Sequence, residues 1–252
     1  MLALAESLSS AKTWLDAALS FFYPNVCQYC SGEPASKSEG FIGANCQEKV
    51  KLIEPPFCRK CGLPFPGEIT SAFQCGNCRE MELHFSYARS AALLEEMLLD
   101  VIHRYKYSRA LWFEPFLAGL LLSQALAELR RDDWDMIVPV PLHRLKRSER
   151  EFNQAERLAR HLSDATQIPL ANSLLRRVQP TRTQTRLSRP ERLDNVRNAF
   201  ALSAGKELNG ERIVLIDDVL TTGATTSACA KVLLHGGAAQ VCVWTVARGG
   251  LK

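Results

Sequence analysis

Ile213-Val-Leu-Ile-Asp-Asp-Val-Leu-Thr-Thr-Gly-Ala-Thr-Thr-Ser227 is the stretch whose reading decides the fold. Ile213, Val214, Leu215 and Ile216 are apolar at every position, the pattern of a strand buried on both faces of a parallel sheet. Asp217 and Asp218 end that run, a turn of small and hydroxyl residues follows, and from Gly223 onward Ala224, Ala228, Ala230, Val232, Leu233 and Leu234 continue as a helix. A turn of Thr221, Thr222, Gly223, Ala224 and Thr225 at a helix start offers backbone N–H groups, hydroxyl donors and the positive end of the helix dipole. Together these suit a phosphate. Asp217 and Asp218 just before it are placed to accept hydrogen bonds from vicinal sugar hydroxyls, so one segment reads both ends of a ribose 5-phosphate. Gly223 leaves no side chain between the backbone and such a ligand. The plain alternative is a Thr-capped turn with two solvated acids. With Thr221, Thr222, Gly223 and Thr225 all in register, the ligand-binding reading is preferred.

The 252 residues leave room for one ordinary domain and a small module. A formal charge of +4 is modest and unevenly spread, with the excess of arginine between Arg144 and Arg192, so a local basic face is expected rather than a basic protein. Met1 to Phe22 lacks a basic leader region, contains Glu6, Lys12 and Asp16, and spaces Leu4, Leu8, Leu15 and Leu19 along one helical face. An amphipathic packing helix over residues 1–24 is expected, with membrane-surface binding as the lesser alternative. No run is long enough for a membrane span, and a reducing cytoplasm is the expected location. There, paired cysteines hold metal rather than form disulfides.

Seven of the nine cysteines fall between Cys27 and Cys78; Cys229 and Cys242 lie in apolar surroundings and read as small core residues. Cys58-Arg-Lys-Cys61 and Cys75-Gly-Asn-Cys78 supply two thiolates each from tight turns, a complete tetrahedral set for a structural zinc ion. Cys27-Gln-Tyr-Cys30 and Cys46 form a set short by one, because glycine stands at position 43 where a ribbon would have another cysteine. Three readings stay open: three cysteines with an unidentified ligand, a site without metal, or interleaved pairing. His84 is the nearest spare histidine and reads as an exposed linker residue.

The pattern from Ser86 to Arg131 is helical, with Leu93, Leu94, Met97, Leu98, Val101 and Ile102 on one face and a second helix from about Glu114 to Leu129. Between them His103-Arg-Tyr-Lys-Tyr107 is either a solvent-facing helix end, the preferred reading, or a platform for single-stranded nucleic acid. Asp135 to His143 contains two prolines and reads as a strand entering a turn. His143, Arg144, Lys146, Arg147 and Arg150 then form a cationic turn at a strand end, where a pyrophosphate would sit in an open sheet. Phe152-Asn-Gln-Ala155 opens the next helix. Arg176 to Arg192 is almost without apolar residues and is expected to be a loop; Arg182, Arg186, Arg189 and Arg192 could fold over bound pyrophosphate. A strand over Val241 to Val246 is expected to close the sheet.

The 213–227 stretch resembles the phosphoribosyl pyrophosphate (PRPP) signature of type I phosphoribosyltransferases. Taken with Pro139-Val-Pro-Leu-His143, Phe152-Asn-Gln-Ala155, Thr183-Gln-Thr-Arg-Leu-Ser-Arg189, Arg192 and Asn195 behind the cysteine array, it gives the chain a resemblance to the ComF/GntX family over nearly its whole length. The resemblance implies an α/β fold: a type I phosphoribosyltransferase-like open, mainly parallel sheet flanked by helices over residues 86–252, behind a zinc-ribbon module over 25–85. It implies that Asp217 and Asp218, the candidate catalytic pair, bind the ribose hydroxyls of PRPP, that Thr221 to Thr225 bind its 5-phosphate, and that Mg²⁺ accompanies the ligand. Single-stranded DNA and other competence proteins become expected partners, in natural competence and DNA uptake. An active transferase of unknown acceptor in nucleotide metabolism and a PRPP-responsive regulator are the rival functions. Three positions depart from the family pattern: Glu151 for glycine, Lys146 for arginine and Gly43 for cysteine.

Overall fold

The structure, a computed structural model, describes residues 25–65, 67, 74–143, 150–179 and 198–250. At its centre is a four-stranded sheet, with β1 (Ala88–Leu93), β2 (Met136–Pro139), β5 (Arg212–Leu220) and β6 (Gln240–Arg248) in the order β1-β6-β5-β2 and every pair parallel. Ile213 to Ile216 are fully buried. Their alternation divides them between two cores, with Val214 and Ile216 facing one and Ile213 and Leu215 the other. Burying each such side chain stabilises the fold by roughly 1.5–3 kcal/mol, which makes this strand the anchor of both layers.

The first core lies under α3 (Glu96–Tyr107), α4 (Glu114–Glu128) and α5 (Gln154–Thr166). Helix α4 starts with proline in its first turn, and α5 with Asn153, whose side chain accepts the Ala155 N–H at 3.1 Å. The second core lies under α6 (Ala224–His235) and an antiparallel ribbon of β3 (Leu175–Arg177) and β4 (Phe200–Leu202). Within the cysteine module are two short helices, α1 (Ala44–Gln47) and α2 (Gly76–Glu80). The module grips the free edge of β1, where Ile53 N–H donates to Ala91 O (2.9 Å) and Leu93 N–H to Lys51 O (2.8 Å). Cys27 and Cys46 join the first core, and Cys58, Cys61 and Cys75 the second.

The expected open parallel sheet with flanking helices and a cysteine-rich module is present, with differences in detail. The segment read as wholly helical begins with β1, which has few β-branched residues and is a strand because β6 and the module pair with it. Strand β6 does not close the sheet; it lies inside it, between β1 and β5. Arg176 and Arg177 belong to β3 rather than to a loop. The expected N-terminal helix over 1–24 falls outside the described residues. Among the described residues no helix is long and apolar enough to cross a membrane.

Candidate functional site

Strand β5 continues past its apolar run through both aspartates to Leu220, which carries them to the carboxyl end of the sheet. An open α/β sheet binds its ligand at that end. A cleft of about 390 Å³ opens there, lined by Asp217 to Thr226, the last turns of α3, the start of α5, and Arg150 and Arg177. Asp218 is buried, and its Oδ2 lies 2.6 Å from Lys106 Nζ and accepts from Gln154 Nε2 at 3.3 Å. The half-buried Asp217 accepts the Asp218 N–H at 2.9 Å. Burial, and then the charge of Asp218, push the Asp217 carboxyl up to about 7. Burial works the same way on Asp218, but the Lys106 ammonium, helped by hydrogen bonds and Arg150, outweighs it and holds that carboxyl below its ordinary value. The pair therefore divides its work: Asp218 is the fixed anion and Asp217 the group that titrates.

The loop above them is held from behind. Arg248, fully buried, donates to Leu220 O (3.0 Å), Thr221 O, Gly249 O (2.7 Å) and Cys61 O (3.2 Å), with Nη2 3.5 Å from Cys61 Sγ. Asn77, inside the last cysteine turn, donates to Thr222 O at 3.1 Å. In a trans peptide the N–H opposes its carbonyl, so binding the Thr221 and Thr222 carbonyls from the cysteine side aims the Thr222 and Gly223 N–H groups away from it. Gly223 stands at φ +87° as N-cap of α6. A Cβ there would meet Leu83 Cδ2 at 3.3 Å and Phe85 at 3.5 Å, so the glycine serves the left-handed turn and packing behind it rather than clearance for a ligand.

Asp217, Asp218, Thr221, Thr222, Gly223, Ala224, Thr225 and Arg150 meet at this cleft. Arg150 places its guanidinium 4.7 Å from the Tyr107 ring centre. Leu142, not its neighbour His143, lines the cleft. Arg144, Lys146, Arg147, Arg182, Arg186, Arg189 and Arg192 lie outside the described residues. The basic-aromatic cluster is no simple solvated helix end, since Tyr105 is buried and Lys106 pairs with Asp218. The sequence marks Lys106 as part of the basic-aromatic cluster and Gln154 as part of a helix opening, without joining either to the aspartates, and gives Asn77 and Arg248 no role.

The cysteines converge as two groups, Cys58, Cys61, Cys75 and Cys78, and Cys27, Cys30 and Cys46 with Glu33, with ligand atoms in each group within 4.8 Å of one another. Sulfur separations of 3.4, 3.7 and 3.8 Å in the first group match a tetrahedron with Zn–S bonds of ~2.3 Å, whose edges are about 3.8 Å. The donors fit structural zinc. His84 belongs to neither group; its backbone N–H donates to Ser227 Oγ at 3.0 Å.

Comparison with known proteins agrees. A family model described as a double zinc ribbon domain matches residues 18–79. Competence protein F of Haemophilus influenzae is 33% identical over 233 residues, covering 90% of this chain and 98% of that protein. The chain belongs to the competence protein F family. This family also includes the DNA utilization protein YhgH of Escherichia coli, 32% identical to this chain over 228 residues, 89% of this chain and 97% of that one. Among solved structures, the allosteric regulatory enzyme of purine biosynthesis matches 50% of this competence protein F relative at 23% identity and a TM-score of 0.34. The chain spans 24% of that enzyme's length.

Proposed function

We propose that this protein binds PRPP with Mg²⁺ in the cleft at the end of β5 and acts on single-stranded DNA in natural competence. One observation carries the first half: an aspartate pair at the end of a central parallel strand, followed at once by a loop whose carbonyls are tied back and which opens α6. Asp217 and Asp218 accept the vicinal ribose hydroxyls, and the Thr221 to Thr225 loop with the α6 dipole takes the 5-phosphate. Lys106 and Arg150, both on the cleft wall, supply positive charge for the pyrophosphate. Arg182, Arg186, Arg189 and Arg192, outside the described residues, are proposed from the sequence alone to add to the same charge. Mg²⁺, bound together with the ligand, would supply positive charge to offset that of a departing pyrophosphate. The second half rests on the relatives, whose names are those of competence and DNA utilization proteins.

A second reading, pentosyl transfer from PRPP to an acceptor, draws support from Asp217. A carboxyl pushed up to about 7 beside the ribose is suited to taking a proton from an incoming nucleophile. Calorimetry with PRPP and Mg²⁺ tests the site: wild type gives a saturable heat, and a variant with both Asp217→Asn and Asp218→Asn, folded by circular dichroism, gives none. A silent wild type would remove the proposal. Pyrophosphate release in the presence of an acceptor separates turnover from binding. Retention of single-stranded DNA that weakens steeply with salt tests the competence role.

A further inference from the structure

A carboxylate, that of Glu33, stands beside the incomplete first cysteine set. A Cβ built on Gly43 would stand 2.3 Å from both Cγ and Cδ of Glu33 and 2.7 Å from its Oε1. The space that a cysteine at position 43 would need is therefore already filled by the Glu33 side chain. That side chain is fixed in place: Oε2 accepts the Asn45 N–H at 2.9 Å, Oε1 accepts the Cys46 N–H at 3.1 Å, and the Glu33 carbonyl accepts the Cys27 N–H at 2.8 Å. Cys30 Sγ lies 3.6 Å from Oε1, and the carboxylate and the three sulfurs are all within 4.8 Å of one another. Two N–H bonds leave the carboxylate lone pairs to spare, since an ionised carboxylate offers about four acceptor sites.

We propose that Glu33 is the fourth ligand of a second zinc ion, held by Cys27, Cys30, Cys46 and Glu33. The chain then binds one ion through four thiolates and one through three thiolates and a carboxylate. Zn²⁺ with three thiolates and one carboxylate has the same net charge, −2, as Zn²⁺ with four thiolates, so the exchange of ligand leaves the local electrostatics intact. The bond lengths also stay close, ~2.0–2.2 Å for Zn–O against ~2.3 Å for Zn–S. The softness of the site changes: a harder oxygen donor and an exposed Cys30 make this the more labile of the two zincs. This proposal is independent of PRPP binding.

The test uses the full-length protein purified with zinc. Elemental analysis is expected to give two zincs per chain. X-ray absorption at the zinc edge is expected to give seven sulfurs and one oxygen shared over the two ions, as the seven cysteines and one glutamate require. One zinc per chain, or an all-sulfur shell, overturns the proposal without any variant. Glu33→Gln keeps one oxygen to accept from the Asn45 and Cys46 N–H groups, puts an amide NH2 in place of the other and removes the charged donor; it should release one of its two zincs to a colorimetric chelator about tenfold faster than wild type. Release at the wild-type rate would mean that Glu33 only braces the turn, and overturns the proposal. A variant combining Glu33→Ala with Gly43→Cys should restore slow release, now with eight sulfurs.

Discussion

Asp217 and Asp218 adjoin in sequence and burial raises both, yet their net shifts are opposite, because the Lys106 ammonium lies against Asp218. The difference has a pH signature. With its carboxyl pushed up to about 7, folded Asp217 keeps a proton that the unfolded chain has already lost near the ordinary carboxylate value. Its contribution to stability is therefore complete in acid, fades as pH rises from about 4 to about 7, and is gone above. Subtracting the melting temperature of Asp217→Asn from that of wild type at each pH should give a difference that falls across this window; a level difference would mean that burial and the neighbouring acid do not raise the Asp217 carboxyl. Glu151 gives a different lesson. It occupies a left-handed backbone conformation (φ +64°), which glycine adopts more readily, and its carboxylate pairs with Arg109 at 2.9 Å. Relief of left-handed strain, about 1–2 kcal/mol, opposes the loss of an exposed ion pair worth about 0–1 kcal/mol and the entropy glycine adds to the unfolded chain, about 0.4–1 kcal/mol. Glu151→Gly should thus change stability by less than about 1 kcal/mol in urea titration. A larger change in either direction would mean that the Arg109 pair or the backbone strain has been misjudged. The packing behind Gly223 was not legible; the acids were, because their place at the end of an apolar run is a local signal. Lys106 was not, because its meaning comes from a partner on a distant strand.

At the scale of elements, β5, α4, α5 and α6 were legible because each carries its own periodicity, cap or proline. Strand β1, Ala88-Arg-Ser-Ala-Ala-Leu93, was not, because its neighbours rather than its propensity make it extended. The loop between β5 and α6 belongs with this second kind. Its sequence names the ligand-facing groups, but its shape depends on Arg248 at the end of β6 and on Asn77 in α2. Arg248→Met keeps much of the side-chain volume and removes the guanidinium from Leu220 O and Thr221 O, while Leu220 O keeps the Gly249 N–H at 2.8 Å. Taking the guanidinium from the Thr221 carbonyl should cost about 1–3 kcal/mol in urea titration. With the Thr222 N–H free to reorient while Asn77 still holds Thr222 O, PRPP affinity should fall about tenfold, roughly 1.4 kcal/mol. Full stability loss with unchanged PRPP calorimetry would mean that the loop keeps its shape unaided.

For the molecule as a whole, cysteine spacing predicted a zinc-ribbon module but not where it docks, because a Cys-x-x-Cys turn specifies a metal and nothing about its neighbours. The module in fact clasps the β1 edge and sends one cysteine group into each core. So small a segment cannot bury a core of its own, and the metal supplies what burial does not. Zinc is then joined to the cleft through two contacts: Asn77 lies between two ligand cysteines and holds Thr222 O, and Arg248 touches both Cys61 and Thr221 O. Removing zinc with a strong chelator under reducing conditions should lower the melting temperature and, in the same step, abolish the stabilisation that PRPP with Mg²⁺ gives the loaded protein; added zinc should restore both. The readout must compare ligand-induced shifts rather than melting temperatures alone, since a chelator that merely weakened the module would leave the shift intact. If the zinc-free protein still folds and still shows the full shift, the phosphate loop stands independently of the metal, and the contacts through Asn77 and Arg248 serve packing only.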